Sequence, residues 1–227
     1  MGWLLKEIPQ RLFNDDQGFL RTFIDMSVRP GKVSQAYIDG KRRRYLNPFS
    51  YYLVAAAAQL IALFIVSERL AKALAANVTD AKAEELRAAG ITDPYTFVAE
   101  RYEFLIQNAY TWLGLVTLVL PSTLMLWLFL RKRANFAEVA VFCLFTQSHV
   151  ILVSGLMNPI TTSVSLTLHS VLAIVLYFSY MIWGARVCFG SGFVPVLGAL
   201  VAMSVGYVCF TFTLVTGHAL LINPAFF

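Results

Sequence analysis

Long uninterrupted apolar blocks constrain this chain more than any other feature of its sequence. Five blocks approach or exceed the roughly 20 residues that a helix needs to cross about 30 Å of hydrocarbon. They are Ser50–Ser67, Tyr110–Leu130, Ala137–Met157, Thr161–Gly184 and Phe193–Leu214. Only 14% of the 227 residues are charged, against about 25% in soluble domains. The sequence therefore predicts an all-α integral membrane protein built as a bundle of five transmembrane helices.

The distribution of charge predicts how these spans are oriented. Nine of the 18 Lys and Arg residues precede the first span, three follow the second span and one, Arg186, follows the fourth. The other five lie between the first two spans, in the segment 68–107, together with seven acidic residues. Because cytoplasmic loops carry an excess of Lys and Arg, we expect a multi-pass protein of the bacterial inner membrane with a cytoplasmic N-terminus and a periplasmic C-terminus.

Residues 1–49, ahead of the first span, are predicted to form a cytoplasmic interfacial region with two short amphipathic helices. The segment Arg29-Pro30-Gly31 separates the two helices, because Pro and Gly interrupt helical structure. Apolar residues share one face of each helix: Phe19, Phe23 and Ile24 in the first, and Val33, Tyr37 and Ile38 in the second. We expect both helices to lie on the inner leaflet.

A basic run, Lys41, Arg42, Arg43 and Arg44, ends this region immediately before a tyrosine-rich stretch. Basic clusters next to a span attract anionic lipids, and tyrosines favour the membrane interface. The run therefore predicts contact with lipid headgroups of the inner leaflet, although a role in setting topology alone is an equally good interpretation. The net charge of +5 does not indicate nucleic-acid binding, since the basic residues border apolar blocks instead of lining one soluble face.

Residues 50–227 are predicted to form the membrane domain, with an external helical hairpin in its first loop, 68–107. Ala, Glu, Lys, Leu and Arg dominate the first part of this loop and favour a helix. Gly90 and Asp93-Pro94 interrupt that helix. A second helix is then predicted to begin at Tyr95 and to lead into the second span.

Three features within the spans carry expectations about helix geometry. Pro121 lies midway along the second span and predicts a kink, and Asn158-Pro159 predicts a short turn between the third and fourth spans. Gly198, Ala202 and Gly206 recur at four-residue spacing, which lets another helix approach closely. Packing inside the bundle is the favoured interpretation of this stripe, and contact with a second copy of the chain is the alternative.

Polar residues inside the predicted spans supply the candidate binding site. His149 and His169 each lie about eight residues from the predicted turn, which puts both roughly 12 Å below the outer surface. With Gln147, Ser165 and His218 they predict an outward-facing polar pocket for a small ligand. The alternative is a set of neutral histidines whose hydrogen bonds are satisfied within the bundle. No metal site is predicted, and the three cysteines form no CxxC pair.

The sequence contains no GxSxG, Walker A, HExxH or GxGxxG motif, and it indicates no cofactor. The leading hypothesis is therefore a non-enzymatic membrane protein that acts by binding, as a subunit of a membrane assembly or as a lipid-contacting scaffold. A small transporter or channel that uses the pocket around His149 and His169 is the alternative. A lipid-modifying enzyme with His149 or His218 as general base is a third hypothesis.

Three blocks resemble a bacterial membrane family known as domain of unknown function 3667. Arg29-Pro30-Gly31, Tyr37 to Arg42 and Tyr45 to Pro48 are similar to its most specific signature; Asn135 to Glu138 resembles its third-span entrance, and Tyr177 to Ser191 its fourth-span exit. The resemblance implies this fold and topology but no activity. Family members often carry an N-terminal zinc ribbon, for which this sequence has no cysteine pairs. A more distant likeness to five-span Yip1-like proteins rests on span count and the basic segment.

Overall fold

The computed structural model describes residues 18–76, 78–108 and 115–221 of the chain, and this part is helical without a strand. A 3-10 turn at Arg42–Arg44 and a π-helical segment at Leu115–Val119 accompany nine α-helices. The helices of the described residues are α1 (Phe19–Val28), α2 (Lys32–Ile38), α3 (Pro48–Ala75), α4 (Asp80–Ala88), α5 (Pro94–Asn108), α6 (Leu120–Leu130), α7 (Phe136–Val164), α8 (Leu166–Phe189) and α9 (Phe193–Leu221).

Four of these helices, α3, α7, α8 and α9, are long and apolar enough to cross a membrane, which indicates a membrane protein. The predicted second span is represented by a shorter apolar helix, Thr117–Leu130. Residues 110–114 at the start of that predicted span lie outside the described residues. The all-α fold is thus confirmed with four candidate spans, and the fifth span stays a prediction.

α7 is the central helix of the bundle and packs against α3 on one side and α8 on the other. Its start is fixed by a capping box, in which the Asn135 side chain accepts from the Glu138 backbone and the Glu138 carboxylate accepts from the Asn135 backbone. The main apolar core joins α7 with α6, α8 and α9 through buried side chains such as Leu126, Phe142 and Met203.

The expected turn at Asn158-Pro159 is wrong, because α7 continues through Pro159 to Val164. Hydroxyl groups near the proline bond the backbone carbonyls around it: Thr161 donates to Met157 and Thr162 donates to Asn158. Pro159 itself removes only the backbone donor to the Gly155 carbonyl, and packing against α3 and α8 on neighbouring turns keeps α7 continuous. The chain turns instead at Ser165, whose extended backbone ends α7 and whose hydroxyl caps α8.

The predicted kink at Pro121 and the predicted stripe of small residues lie in α6 and α9, respectively. The backbone takes π-helical geometry over Leu115–Val119, just ahead of Pro121, consistent with a proline that removes one backbone donor. The Gly198, Ala202 and Gly206 stripe of α9 faces its own bundle: Ala202 is fully buried, and a Cβ added at Gly198 would meet Phe129 of α6 at 2.9 Å.

A helical hairpin of α4 and α5 stands at the end of α3, in the loop where one was expected. Thr79 caps α4, and Gly90 turns the chain with φ of +89° before α5 begins at Pro94. α5 packs along the second half of α3, which runs eight residues beyond the predicted end of the first span. A small apolar cluster of Ala75, Leu86 and Val98 stabilises the α4–α5 hairpin. We call it the outer hairpin because it lies beyond the predicted end of the first span.

A second hairpin, formed by α1 and α2, packs against α7 and α8. Met26 and Val33 of this N-terminal hairpin are fully buried with Tyr51 and Phe145 of the bundle. Ile24, expected to share a face with Phe19 and Phe23, instead lies on an exposed apolar face. Residues 1–17 of the predicted interfacial region lie outside the described part of the chain.

Candidate functional site: a histidine beneath the N-terminal hairpin

The turn of the N-terminal hairpin touches α8 through two glycines. Gly31 has φ of +89°, a conformation that side-chain-bearing residues rarely adopt. A Cβ added there would collide with the backbone carbonyl of Gly184 and would lie 3.0 Å from Cβ of Val187. The Pro30-Gly31 pair therefore does more than separate two helices, because Gly31 also lets the hairpin approach the α8 backbone.

α1 presents apolar side chains in two directions. Phe19 and Phe23 face the bundle, where their rings lie 5.9 Å from Tyr51 and 5.2 Å from His149 respectively. Leu20, Ile24 and Val28 form an exposed row at four-residue spacing on another face. A helix lying flat on a membrane has one apolar face and one polar face, whereas α1 has apolar partners within the protein and an apolar face turned away from it.

His149 of α7 lies directly beneath this hairpin, and both of its ring nitrogens have partners. Tyr51 Oη lies 2.8 Å from Nδ1, and Ser27 Oγ lies 3.3 Å from Nε2. The Ser27 hydroxyl donates to the carbonyl of Phe23 at 2.8 Å, so it accepts from His149. These contacts assign a neutral ring protonated at Nε2, with Tyr51 donating to Nδ1.

Aromatic rings enclose the same imidazole. The Tyr180 ring of α8 stacks on it at 5.2 Å, and the Tyr180 hydroxyl donates to the backbone carbonyl of Ser27 at 3.2 Å. His149 itself is fully buried. The His149 cluster, defined as Phe23, Ser27, Tyr51, His149 and Tyr180, thus connects the hairpin with α3, α7 and α8.

The pairing of a serine with a histidine raises the question of nucleophilic catalysis. A nucleophilic serine must give its proton to the histidine, but the Ser27 hydroxyl points its proton at the Phe23 carbonyl within its own helix. The imidazole is also closed off by the surrounding rings. The geometry is that of a connecting hydrogen-bond chain, in agreement with the sequence-based alternative of a satisfied neutral histidine.

His169 lies elsewhere, so the two histidines expected to line one pocket do not come together. Its Nδ1 is 2.6 Å from Oγ1 of Thr161, which lies twelve residues after His149, or roughly 18 Å of helix rise. Since α7 extends fifteen residues beyond His149, that residue is near the middle of its helix and not one short step below its end. The depth estimate was wrong because it took Asn158-Pro159 as the turn.

The remaining predicted pocket residues have separate surroundings. The Ser165 hydroxyl accepts from the backbone of Leu168 as the cap of α8. The Gln147 side chain is fully buried, and neither of its polar atoms finds a partner among the described residues. His218 belongs to α9, but its side chain lies outside the described part of the structure. Among the described residues, no group of three His, Cys, Asp or Glu side chains is placed to hold a metal ion.

A known family model matches the part of the chain that contains the N-terminal hairpin and the start of α3. Residues 16–60 match the model of DUF3667, described as a protein of unknown function. The chain carries a DUF3667 segment. This confirms the family resemblance over that range, which contains Ser27, Gly31 and Tyr51. No curated protein and no solved structure matches the chain.

The DUF3667 segment also forms a polar cavity of about 330 Å³. Four cationic and two acidic side chains contribute to its wall: Arg29, Lys32, Lys41 and Arg44, with Asp25 and Asp39. Arg44 approaches Asp25 at 3.9 Å, and Tyr45 donates to the same carboxylate at 3.0 Å. Of the predicted headgroup contacts, Lys41 and Arg44 line this cavity, whereas Arg42 lies over the Tyr37 ring.

Sequence reasoning found His149 but missed its partners. Tyr51 belonged to the tyrosine-rich stretch interpreted as an interfacial anchor, and Ser27 and Tyr180 carried no signal in their spacing. A hydroxyl one helical turn after Phe23 would have been the only hint for Ser27. The contacts join residues 98 and 122 positions apart, which periodicity within one helix cannot reveal.

Proposed function

We propose that this protein is a multi-pass inner-membrane protein that acts by binding, and that its DUF3667 segment contacts anionic lipid headgroups on the cytoplasmic side. The polar cavity beside α1 and α2 carries the proposal. Its four cations exceed its two carboxylates, and it lies next to the exposed apolar row of α1. A lipid offers a negative headgroup for the first feature and an acyl chain for the second.

The cations of this cavity are available to an anion. Within residues 18–76, 78–108 and 115–221, Arg29, Lys32 and Lys41 form no ion pair, and Arg44 has one long contact with Asp25. An unpaired cation near a membrane surface contributes about 1 kcal/mol to the attraction of anionic lipid. Several such groups around one cavity make headgroup binding the function that this geometry favours.

Other basic residues support the proposed orientation. Arg133, after α6, lies near Gly192, between α8 and α9, where an added Cβ would be 3.7 Å from its guanidinium. The loops after α6 and after α8 therefore meet at the same end of the bundle, as the charge distribution requires. A cytoplasmic position for this basic end agrees with the positive-inside rule.

Native mass spectrometry of the detergent-purified chain tests the proposal. We expect it to retain phosphatidylglycerol in preference to phosphatidylcholine, and Lys32→Gln/Lys41→Gln to weaken phosphatidylglycerol binding roughly 30-fold, since two cations contribute about 1 kcal/mol each. Lys132→Gln is the matched control, because it removes a cation of the basic loop after α6 that does not line the cavity. Equal retention of both lipids by the unaltered chain would refute the proposal.

One observation favours the alternative of a small transporter, namely the buried Gln147 amide, which has no hydrogen-bond partner among the residues that the structure describes. A buried unsatisfied amide is costly in a structural core, but a permeation path uses such groups. Proton flux into pyranine-loaded liposomes should then occur and should fall in Gln147→Leu. Liposomes whose pyranine signal matches protein-free controls would exclude proton transport.

A further inference from the structure

The two carboxylates in the wall of the polar cavity have different surroundings. Asp25 of α1 accepts from the Tyr45 hydroxyl at 3.0 Å and lies 3.9 Å from the Arg44 guanidinium. Asp39 follows the last residue of α2, and its exposed side chain has no hydrogen bond or ion pair among the described residues. The cavity therefore has one carboxylate with protein partners and one, Asp39, that is open to a ligand.

The open groups of the wall require two kinds of hydrogen-bonding partner. Ammonium and guanidinium groups only donate hydrogen bonds, and an ionised carboxylate only accepts them. A phosphate accepts from the cations of the wall, but it has no proton to give to Asp39 and is repelled by its charge. A ligand that complements the whole wall therefore combines a phosphate with a separate hydrogen-bond donor.

The charge of the wall favours a hydroxyl as that donor over an ammonium group. Once Asp25 and Arg44 are counted as a pair, the cations Arg29, Lys32 and Lys41 outnumber the carboxylate of Asp39. An ammonium group would add a positive charge beside these cations and would make the headgroup neutral overall. A hydroxyl donates without charge, so the headgroup stays anionic and complements the excess of cations.

The volume and position of the cavity favour the headgroup of a lipid over a soluble phosphate ester. A water molecule takes up about 30 Å³, so the 330 Å³ of this cavity has room for about ten non-hydrogen atoms, as in a phosphate joined to glycerol. Asp25 and Arg29 of the wall directly follow Ile24 and Val28 of the exposed apolar row in the sequence. A lipid supplies acyl chains for that row, which a soluble ester cannot do.

We propose that the cavity selects phospholipids whose headgroup is a phosphodiester of a polyol, such as phosphatidylglycerol. The phosphate contacts the cations Arg29, Lys32 and Lys41, and a headgroup hydroxyl donates to the carboxylate of Asp39. Asp39 thus determines headgroup specificity, whereas the cations attract any anionic lipid. This inference rests on the proposed function, since it requires a lipid headgroup in the cavity, and its test separates the two.

Titration of the full chain with phosphatidylglycerol and phosphatidylmethanol, followed by native mass spectrometry, tests the selection. Phosphatidylmethanol carries the same negative charge but has no headgroup hydroxyl. We expect phosphatidylglycerol to bind roughly five- to tenfold more tightly, as about one net hydrogen bond provides. Equal affinities, both above that of phosphatidylcholine, would overturn the selection and leave the proposed function intact; affinities no higher than that of phosphatidylcholine would refute both. Tighter binding of phosphatidylethanolamine would assign the donor to an ammonium group and overturn the selection.

Substitution of Asp39 is the second arm of the test. Asp39→Ala should abolish the preference for phosphatidylglycerol, and phosphatidylmethanol should bind at least as tightly as before because a negative charge leaves the wall. Asp39→Asn keeps an acceptor oxygen and should retain part of the preference. Glu84→Ala is the matched control, since it removes an exposed carboxylate of the outer hairpin that does not line the cavity. A full preference in Asp39→Ala would contradict the role of Asp39.

Competition with a soluble ester is the third arm. Free glycerol 1-phosphate has the polyol and the phosphate of phosphatidylglycerol but no acyl chains. We expect it to leave bound phosphatidylglycerol in place when both are present at equal concentration. Displacement of the lipid would assign the cavity to soluble phosphate esters and overturn the choice of a lipid.

Discussion

The two helical hairpins at the ends of α3 are stabilised by different kinds of contact. The N-terminal hairpin places Met26 and Val33 at zero exposure and joins the His149 cluster through Ser27. The outer hairpin keeps a small apolar cluster of its own, and the polar contacts of its described residues, such as that of Lys82 with Glu85, lie largely at the surface. The first hairpin is part of the bundle core, whereas the second is an addition to the end of α3.

This difference shows which hairpin depends on the rest of the protein. Local signals such as a cap at Thr79 and a glycine at position 90 account for the outer hairpin. The N-terminal hairpin has no side-chain cap on α1 or α2, so its stability comes from packing and from bonds to other helices. Changes at its contacts should therefore affect the whole bundle.

The largest effect is expected for Gly31→Ala. Both Gly31 and Gly40 have φ of +89°, but an added Cβ collides with Gly184 only at position 31, while it meets no described atom within 4 Å at position 40. Gly40→Ala should lower the free energy of unfolding by roughly 1–2 kcal/mol through backbone strain. Gly31→Ala should lower it by roughly 2–5 kcal/mol because overpacking adds to the strain. Reversible unfolding in mixed micelles measures both, and equal losses would argue against the glycine contact.

His149→Ala is expected to have the next largest effect. It leaves a buried space and removes partners from Tyr51 and Ser27, so we expect a loss of roughly 2–4 kcal/mol in the free energy of unfolding. His169→Ala removes one contact with Thr161 at a half-buried site and should cost about 1 kcal/mol. The same unfolding assay compares them. A larger loss for His169→Ala would reverse the importance that we assign to these residues.

A smaller and local effect is expected in the outer hairpin. Thr79→Ala removes the side chain that accepts from the Lys82 backbone at the start of α4, and losing an N-cap costs about 1 kcal/mol. Hydrogen exchange should accelerate in α4 and stay unchanged in α1 and α2. Faster exchange in the N-terminal hairpin as well would mean that the two hairpins are coupled, contrary to the comparison.

The smallest effect is a pH dependence at the start of α5. The Thr96 hydroxyl donates to Asp93 at 2.7 Å and, with the backbone N–H groups of Thr96 and Tyr95, lowers the pKa of this carboxyl below its ordinary 3.8. A lowered pKa means that the stabilisation is complete above the ordinary value and is lost as the pH falls through the folded value. Carbon NMR titration should give a midpoint below 3.8 that rises in Thr96→Ala; an unchanged midpoint would remove the hydroxyl as the cause.

The sequence predicted the parts of the fold that depend on local patterns. Apolar blocks located α3, α7, α8 and α9, and the interruptions at Gly90 and Asp93-Pro94 located the outer hairpin. The turn between α7 and α8 was misplaced because a proline signal is local, whereas the tolerance of Pro159 within α7 depends on packing against neighbouring helices. That one error moved His149 close to His169 in the predicted site.

The candidate site itself was predictable only in part. His149 is conspicuous as an ionisable residue in an apolar block, but periodicity does not reveal which helix it faces. Its bonds to Tyr51 and Ser27 depend on how the N-terminal hairpin packs, and that packing rests on the contact between Gly31 and Gly184.

The most direct test of the packing of the DUF3667 segment is nitrogen NMR of histidine-labelled protein in lipid bilayers. The chain has three histidines, and His149→Phe assigns the signal of interest. We predict a neutral ring protonated at Nε2, in contact with the Tyr51 hydroxyl and with protons of Ser27, and a shift of the Nε2 signal in Ser27→Ala. A His149 signal that is insensitive to Ser27→Ala and shows no contact with α1 would contradict docking of the hairpin onto this histidine.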